Sequence, residues 1–274
     1  MITNPFGKAL VVLSAVIVPV SSIASPVKYE YSVVKIPNPQ GYKPGTGFIL
    51  GPDRRNKCVL VTAKHVINEY IIYKVPVSFV YYDKSTKSIP SSSFFFDDED
   101  EGLDLAAAPI ECGKHSLNIP LARSSSVSIS NPVKIIGYPA SLHTNDLTLN
   151  KPAYGVRGII TKFSSAGKDA KTLGYNISYD AKTEEGFSGG PVLSEDLSKI
   201  VAVHGLTFAV QPPKPKINPD GSTTSILDAM TDEERRDYLR VGGSGITSAI
   251  LYKMLRKNGY KMPRAGATCL VGVC

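Results

Sequence analysis

Short apolar and β-branched runs, bounded by Gly, Pro, Asn, Asp or Ser, recur along most of the chain. Runs of this length and composition are typical of β-strands separated by turns. The pattern predicts eight strands: Thr46–Leu50, Cys58–Thr62, Val75–Tyr82, Leu105–Ile110, Val133–Ile136, Gly155–Lys162, Leu173–Tyr179 and Ile200–Val203. Many short strands with turns between them indicate an all-β protein, either a sandwich or a barrel.

Two helices are predicted near the end of the chain. The first opens with the capping box Thr231-Asp232-Glu233-Glu234 and runs toward Arg240. The second spans about Thr247 to Lys257, and its apolar side chains share one face: Ile250, Leu251, Met254 and Leu255. We expect this face to pack on the β core. The proline-rich segment 211–216, which precedes both helices, is predicted to be extended and exposed.

Composition places the chain among globular proteins. Its 274 residues are 42% hydrophobic and 20% charged, which is enough for one large core or two smaller ones. The 23 Gly and 20 Pro favour many turns and, with the rest of the composition, exclude collagen, a coiled coil and a multi-span membrane protein. The formal net charge of +7 comes from scattered Lys and Arg, with no dense basic run among aromatics. A nucleic-acid partner is therefore not expected.

Residues 1–24 have the pattern of a secretory signal peptide. Lys8 supplies the positive start, Ala9–Val20 the apolar stretch, and Ser22-Ile23-Ala24 a cleavage site of small residues. A membrane span needs roughly 20 apolar residues, more than this stretch offers, although an uncleaved anchor is the alternative. We expect a secreted or periplasmic protein without stable membrane insertion after signal removal. Export would permit disulfides among its four cysteines.

The strongest chemical signal is the octet Gly186–Leu193, in which Ser188 lies in a glycine turn that leads into an apolar strand. Glycines permit positive φ and let successive backbone N–H groups point at one place, as stabilisation of an oxyanion requires. The sequence therefore makes Ser188 a candidate nucleophile. A glycine-rich β-turn with an uninvolved serine is the alternative.

Two further stretches carry a candidate base and a candidate acid. His65 lies on a short turn predicted after the strand that ends at Thr62, and a serine hydroxyl needs such a base near neutral pH. Asp104 begins the apolar strand Leu105–Ile110, where a carboxylate can be drawn inside to orient an imidazole. A histidine satisfied within the core is the alternative for His65. The acidic run 97–101 is interpreted as a solvated loop.

In the order His65, Asp104, Ser188, the motifs Thr-Ala-x-His, Asp-Leu-Ala and Gly-x-Ser-Gly-Gly-Pro resemble the chymotrypsin/trypsin superfamily. Within it, the chain is most similar to bacterial secreted enzymes of the glutamyl endopeptidase type. Three supporting segments fall inside the resemblance, which spans about residues 45–258: Gly45–Phe48, Ile136–Pro139 and Gly155–Ile160. The resemblance implies two six-stranded antiparallel β-barrels with a C-terminal helix and the catalytic groups in the cleft between the barrels.

The domain organisation that follows has three parts. The signal peptide occupies residues 1–24, and a trypsin-like peptidase domain occupies residues 25–258. The boundary between its two barrels is expected near residues 120–132. Residues 259–274 form a C-terminal tail that the family core does not need.

The resemblance also implies roles for the motif residues. Ser188 would attack the scissile carbonyl, His65 would take and return the proton, and Asp104 would orient His65. The backbone N–H groups of Gly186 and Ser188 would bind the oxyanion. The substrate is then a peptide or protein, and neither a metal nor a cofactor is required, since no His/Cys cluster has zinc spacing.

Two other functions fit parts of the same sequence. The octet around Ser188 also fits the nucleophile elbow of α/β-hydrolases, which need an acid and then a histidine after the serine. Only His204 follows, sixteen residues on, which is too close for the intervening elements. A protease-fold protein that binds peptides or a partner without cleaving them stays open.

Phe187 stands where pancreatic-type enzymes have an aspartate that pairs with a newly freed N-terminal amine. The resemblance therefore implies that this activation switch is absent. A short propeptide from Ser25 to about Lys35 is left open.

The cysteines suggest two disulfides. In the resembling fold, the chain near Cys58 and Cys112 belongs to the first barrel, so a bridge between them is expected. Two buried free thiols are the alternative. Cys269 and Cys274 could close a small ring within the tail.

Substrate preference is suggested by two positions of the glutamyl endopeptidase pattern. These enzymes hold a substrate carboxylate with a threonine five residues before the nucleophile, here Thr183, and a histidine on the following strand, here His204. Lys182 falls where trypsin-like enzymes place the pocket floor, and a cation there would also favour an acidic side chain. Glu184 and Glu185 oppose this, and a loop threonine with a core histidine is the alternative. The prediction is cleavage after Glu, with Asp second.

Overall fold

The computed structural model describes residues 29–41, 43–97, 102–141, 153–164, 173–208, 216–217, 223–224 and 242–265. This part of the chain contains two α-helices, α1 (Lys64–Ile72) and α2 (Ser248–Lys257). It also contains fourteen β-strands: β1 (Val33–Ile36), β2 (Gly45–Leu50), β3 (Cys58–Thr62), β4 (Val77–Val80), β5 (Thr86–Ile89), β6 (Ala106–Ile110), β7 (Pro132–Gly137), β8 (Tyr154–Phe163), β9 (Ile177–Tyr179), β10 (Pro191–Ser194), β11 (Ile200–Phe208), β12 (Lys216–Ile217), β13 (Thr223–Thr224) and β14 (Gly242–Thr247).

Strands β1 to β6 form a six-stranded antiparallel sheet in the order β5-β4-β1-β2-β3-β6. Every residue of β2 and β3 is buried, which explains why their sequences carry no charged residue and why the hydroxyls of Thr46 and Thr62 are hydrogen-bonded to backbone carbonyls. Successive side chains of a strand point to opposite faces. Val59 and Val61 accordingly join one apolar cluster, whereas Leu60 joins another. The sheet therefore packs against apolar cores on both faces.

The second sheet closes into an antiparallel barrel in the order β10-β11-β14-β9-β8-β7. Its own apolar cluster includes Val133, Ile135, Ile160, Ile177 and Val192. A further cluster contains residues of both sheets, so the two sheets share one core. The predicted fold, two six-stranded antiparallel barrel-like sheets with a C-terminal helix, is confirmed. Strands β12 and β13 form a separate two-stranded pair.

Besides shifted strand ends, such as β11 reaching Phe208 instead of Val203, two local predictions differ from the structure. The residues after β3 form the nine-residue helix α1 rather than a short turn. Burial of Ile67 and Tyr70 stabilises this helix, since tertiary packing outweighs the modest helix propensity of its β-branched residues. The strand predicted at Leu173–Tyr179 is limited to β9. Leu173 and Gly174 have positive φ values of 49° and 78°, and they form a turn instead.

Helix α2 packs on the core through the face that the sequence predicts. Leu251, Met254 and Leu255 are fully buried in the cluster shared by both sheets. The chain after α2 packs as well, because Tyr260 is buried and the N–H of Lys261 donates to Asp53 Oδ2 at 2.8 Å. Residues 259–265, the described part of the predicted tail, thus belong to the folded structure.

Cys58 and Cys112 form a disulfide with Cα atoms 5.0 Å apart. This finding confirms the first predicted bridge and excludes the two free thiols. Several predictions lie outside the described residues: the signal at 1–24, the helix from Thr231 to Arg240, the extended segment 211–215 and the Cys269–Cys274 ring. Within the described ranges, no helix has the length and apolar character needed to cross a membrane.

Candidate active site

The candidate base and acid lie at neighbouring strand ends of the first sheet. His65 is in the first turn of α1, directly after β3, and Asp104 precedes β6. β3 and β6 are paired, with Thr62 opposite Ala106. The sequence therefore brings the two residues together by strand register, although they are 39 positions apart.

Asp104 makes two hydrogen bonds to His65. Its Oδ2 lies 2.6 Å from the ring Nδ1, and its Oδ1 accepts the backbone N–H of His65 at 2.8 Å. Because a carboxylate only accepts, Nδ1 carries the proton and Nε2 is left as the basic nitrogen. Asp104 is only 5% exposed, whereas the His65 side chain is 45% exposed. The imidazole thus has a fixed tautomer and an open face.

A third side chain, Tyr175 from the second barrel, also binds Asp104. Its hydroxyl donates to Asp104 Oδ2, the same oxygen that meets His65. Burial and the charge of Asp104 raise the pKa of Tyr175 well above its ordinary value, so the phenol stays protonated. The N–H of Asp104 donates to the carbonyl of Leu173 at 2.9 Å.

The loop that carries Ser188 requires glycine at two positions. Gly186 and Gly189 have φ values of 98° and 86°. A Cβ on Gly186 would overlap the carbonyl oxygen of Tyr138, and one on Gly189 would overlap that of Thr46. The loop is therefore shaped by positive φ and by close backbone approach to both sheets. Both glycines were singled out by the sequence motif.

Thr46 on β2 holds this loop against the first sheet. Its hydroxyl donates to the carbonyl of Gly186 at 2.6 Å, and its N–H donates to the carbonyl of Ser188 at 2.8 Å. The N–H groups of Gly186 and Ser188 donate to none of the described residues. Gly186 and Ser188 are thus held in place through their carbonyls. Their N–H groups, the predicted oxyanion donors, have no partner among the described residues.

The hydroxyl of Ser188 has one hydrogen bond within the described part of the chain. It donates to the carbonyl of Gly205 at 2.9 Å rather than to His65. Gly189, the next residue, lies against the start of α1, since a Cβ there would be 2.9 Å from the backbone nitrogen of Ala63. The serine loop therefore faces the helix that carries His65.

His204 occupies a different environment, fully buried on β11. The hydroxyl of Tyr179 contacts its Nδ1, and Thr207 Oγ1 lies 3.5 Å from its Nε2. Thr207 also donates to Thr183 Oγ1 at 3.1 Å. Burial, with a smaller contribution from the charge of His65, lowers the pKa of His204 to about 3. His204 is thus a neutral group within a cluster of hydroxyls.

The structure brings Thr183 and His204 together through Thr207, but it does not bring Lys182 to them. Lys182 is exposed and lines a surface depression beside Tyr154 and Arg157. The two glutamates that follow Thr183 both have partners. Glu185 forms an ion pair with Lys43, and Glu184 accepts the hydroxyl of Ser141 at 2.6 Å. Among the described residues, no group of three His, Cys, Asp or Glu could hold a metal ion.

Comparison with known proteins identifies the family of the chain and the likeness of its fold. The family of the trypsin-like peptidase domain matches residues 45–203, which include His65, Asp104 and Ser188. The fold resembles the crystal structure of the serine endoprotease from Yersinia pestis, with a TM-score of 0.52 and 17% sequence identity over 86% of this chain and 67% of that one. No curated protein matches the sequence. The chain belongs to the trypsin-like peptidase family and is a serine peptidase. The glutamyl endopeptidase subtype remains a prediction.

Three residues of the site were missed by sequence reasoning. Tyr175 was assigned to a strand, Thr46 was named only within a strand and a supporting segment of the resemblance, and Thr207 lies beyond the strand predicted to end at Val203. Only Thr207 had a usable signal, because it is a hydroxyl residue three positions after His204. Tyr175 and Thr46 act across the interface of two barrels, which no local pattern encodes.

Proposed function

We propose that this protein is a secreted serine endopeptidase that works through an acyl-enzyme, with Ser188, His65 and Asp104 as its catalytic triad. The observation that carries the proposal is the buried Asp104 carboxylate bound to His65 Nδ1 at 2.6 Å, beside a serine loop with two free N–H groups. Serine acylation needs this combination of an oriented base and preorganised donors.

The chemical steps follow from these contacts. The Ser188 hydroxyl turns from the carbonyl of Gly205 toward His65 Nε2, which takes its proton as Oγ attacks the scissile carbonyl. The N–H groups of Gly186 and Ser188 bind the oxyanion, and Asp104 stabilises the imidazolium. His65 then returns the proton to the leaving amine, and water repeats the sequence to release the acyl group. Rotation of a serine on substrate binding is common, since catalytic hydrogen bonds are often unformed without substrate.

Reaction with an active-site-directed phosphonate tests the assignment. The protein should take up one equivalent on Ser188, located by peptide mass mapping. Ser188→Ala should take up none, whereas the matched variant Ser194→Ala, on β10, should react like the parent. A folded parent protein that does not react would contradict the proposal and favour a protease-fold binding protein.

For the substrate, the proposal is cleavage after Glu, with Asp second. The hydroxyls of Thr183 and Thr207 and the neutral His204 form a buried polar cluster that could receive a carboxylate. Burial of a carboxylate costs several kcal/mol unless it is hydrogen-bonded. The opposing charges at the rim are reduced, because Glu185 is paired with Lys43.

Cleavage profiling with a peptide library tests this preference. We expect enrichment of Glu, then Asp, on the acyl side of the cut, and loss of that enrichment in His204→Ala. Lys182→Ala is the control variant and should keep the enrichment, since Lys182 is exposed and away from the cluster. Preferred cleavage after Arg, Lys or large apolar residues would refute the pocket, as would a His204→Ala variant that keeps the Glu preference.

Activation is proposed to need only removal of the signal peptide. Phe187 is 1% exposed and packs in the apolar cluster of the second barrel, so that position offers no carboxylate to a freed N-terminal amine. β1 (Val33–Ile36) pairs with β2 and β4, and a propeptide ending at Lys35 would remove most of it. N-terminal sequencing of exported, active protein should give a start before β1. A start beyond residue 35 would contradict this.

A further inference from the structure

Asp104 is held by the second barrel as well as by its own sheet. A short segment, Leu173–Tyr175, reaches it with two hydrogen bonds, one to the Leu173 carbonyl and one from the Tyr175 hydroxyl. Gly174, with φ of 78°, turns the chain between these contacts, and a Cβ there would overlap Leu103 beside Asp104. The segment therefore fixes both the backbone and the side chain of the acid.

Gly205 makes the space that Tyr175 occupies. A Cβ at Gly205 would overlap the Tyr175 ring at Cε1, so the tyrosine fits only because residue 205 has no side chain. The carbonyl of the same glycine accepts the Ser188 hydroxyl at 2.9 Å. Gly205 thus contacts both the ring that orients the acid and the nucleophile.

We propose that Tyr175 is a positioning residue for the triad, whose hydroxyl fixes the Asp104 carboxylate in the orientation that binds both the ring and the backbone of His65. This inference rests on the proposed function. A carboxylate with a single partner can rotate about its terminal bond, whereas three donors on two oxygens define one orientation. The phenol itself transfers no proton, because it is partly buried beside the Asp104 carboxylate and its pKa is raised well above the ordinary value.

Tyr175→Phe isolates the hydroxyl, since the ring that fills the space over Gly205 is kept. We expect kcat to fall about tenfold, the loss typical of a hydrogen bond to a charged group, with KM changed less than about twofold. The matched control is Tyr70→Phe. Tyr70 lies on α1, the same helix as His65, and the substitution removes a buried hydroxyl that donates to the carbonyl of Pro37. The control should lower thermal stability and leave kcat unchanged.

A spectroscopic measurement gives a readout that does not depend on turnover. The proton between His65 Nδ1 and Asp104 should give a low-field proton NMR resonance in the parent protein. We expect this resonance to shift or broaden in Tyr175→Phe and to stay in place in Tyr70→Phe. A parent protein that cleaves no peptide but shows this pattern would refute the proposed function while supporting the positioning role.

Rescue by a second hydroxyl completes the test. A Cβ at Gly205 would lie 2.7 Å from the phenol oxygen, so a serine there can place its hydroxyl near that oxygen once the ring is removed. Adding Gly205→Ser to Tyr175→Ala should recover about tenfold in kcat, and adding Gly205→Ala should recover nothing. Equal recovery of kcat by Gly205→Ser and Gly205→Ala would overturn the proposal. So would a Tyr175→Phe variant whose kcat and NMR spectrum match those of the parent protein.

Discussion

The two histidines of the candidate site, His65 and His204, have surroundings that differ in partner and in burial. His65 is half-exposed and bonded to a carboxylate, while His204 is fully buried and bonded to neutral hydroxyls. A carboxylate stabilises the imidazolium that general-base catalysis creates. Hydroxyls in a dry site do not, and burial lowers the pKa of His204 to about 3. The same side chain is thereby suited to moving a proton in one place and to hydrogen bonding without charge in the other.

The largest expected difference between the two histidines is in turnover. His65→Ala should lower kcat on the order of 10⁶-fold, because it removes the proposed general base. His204→Gln should leave kcat for a peptide without acidic residues within about tenfold, since this residue moves no proton. Single-turnover assays, with circular dichroism to verify folding, measure both. Comparable losses in the two variants would erase the distinction.

Replacing the partner of His65 should have the next largest effect. Asp104→Asn keeps the size of the side chain but favours the wrong imidazole tautomer, so kcat should fall about 10⁴-fold. Asp97→Asn, which removes the carboxylate paired with Lys257, is the control and should retain activity. Steady-state kinetics checks both variants. Near-parental activity of Asp104→Asn would mean that the carboxylate is not needed.

The pH dependence of the free energy of unfolding should reveal the contribution of the buried His204. The unfolded chain protonates His204 below its ordinary pKa of 6.5, whereas the folded protein does so only near 3. Protons therefore favour the unfolded chain in this window. The free energy of unfolding should fall by roughly 1 kcal/mol per pH unit from pH 6.5 toward 3, beyond the loss from carboxylates. Urea titrations of the parent and of His204→Gln should differ in this slope, and identical slopes would contradict the assignment.

The smallest expected effect concerns the hydroxyls around His204. Thr183→Val keeps the shape of a 2% exposed side chain and removes a single hydroxyl. The value of kcat/KM for peptides with Glu on the acyl side should fall about tenfold, with peptides carrying Gln there much less affected. Thr86→Val, on the exposed strand β5, should change neither. An equal loss for Glu and Gln peptides would show that Thr183 is structural.

Strands made mostly of apolar and β-branched residues were predictable, whereas strands stabilised mainly by pairing with their neighbours were not. β3 was predicted with its observed bounds, and β2 within one residue. β5 is an exposed edge strand and β14 is glycine-rich, so neither has an apolar run. β14 exists because it pairs with β9 and β11 on its two sides. Such pairing energy is invisible in a local pattern.

The candidate site shows the same division. His65, Asp104 and Ser188 each lie in a short sequence motif, so they could be selected as candidates from the sequence alone, and their catalytic roles stay a prediction. Tyr175 reaches Asp104 from 71 positions away, and its contact depends on the absence of a side chain at Gly205. The exposure of Lys182 could not be predicted from the sequence either. Its neighbour Thr183 is buried, whereas Lys182 faces solvent, and the local sequence does not distinguish the two environments.

The contacts of Thr46 make the shape of the serine loop depend on both sheets. This residue belongs to the first sheet, yet its hydroxyl and N–H hold the two carbonyls of the serine loop, and the same hydroxyl accepts the N–H of Tyr138. A chain with only one sheet formed, whether newly synthesised or partly unfolded, lacks the contacts from the other sheet that shape the loop around Ser188. We therefore expect proteolytic activity only when both sheets are folded and packed together, and a fragment that carries one sheet should be inactive.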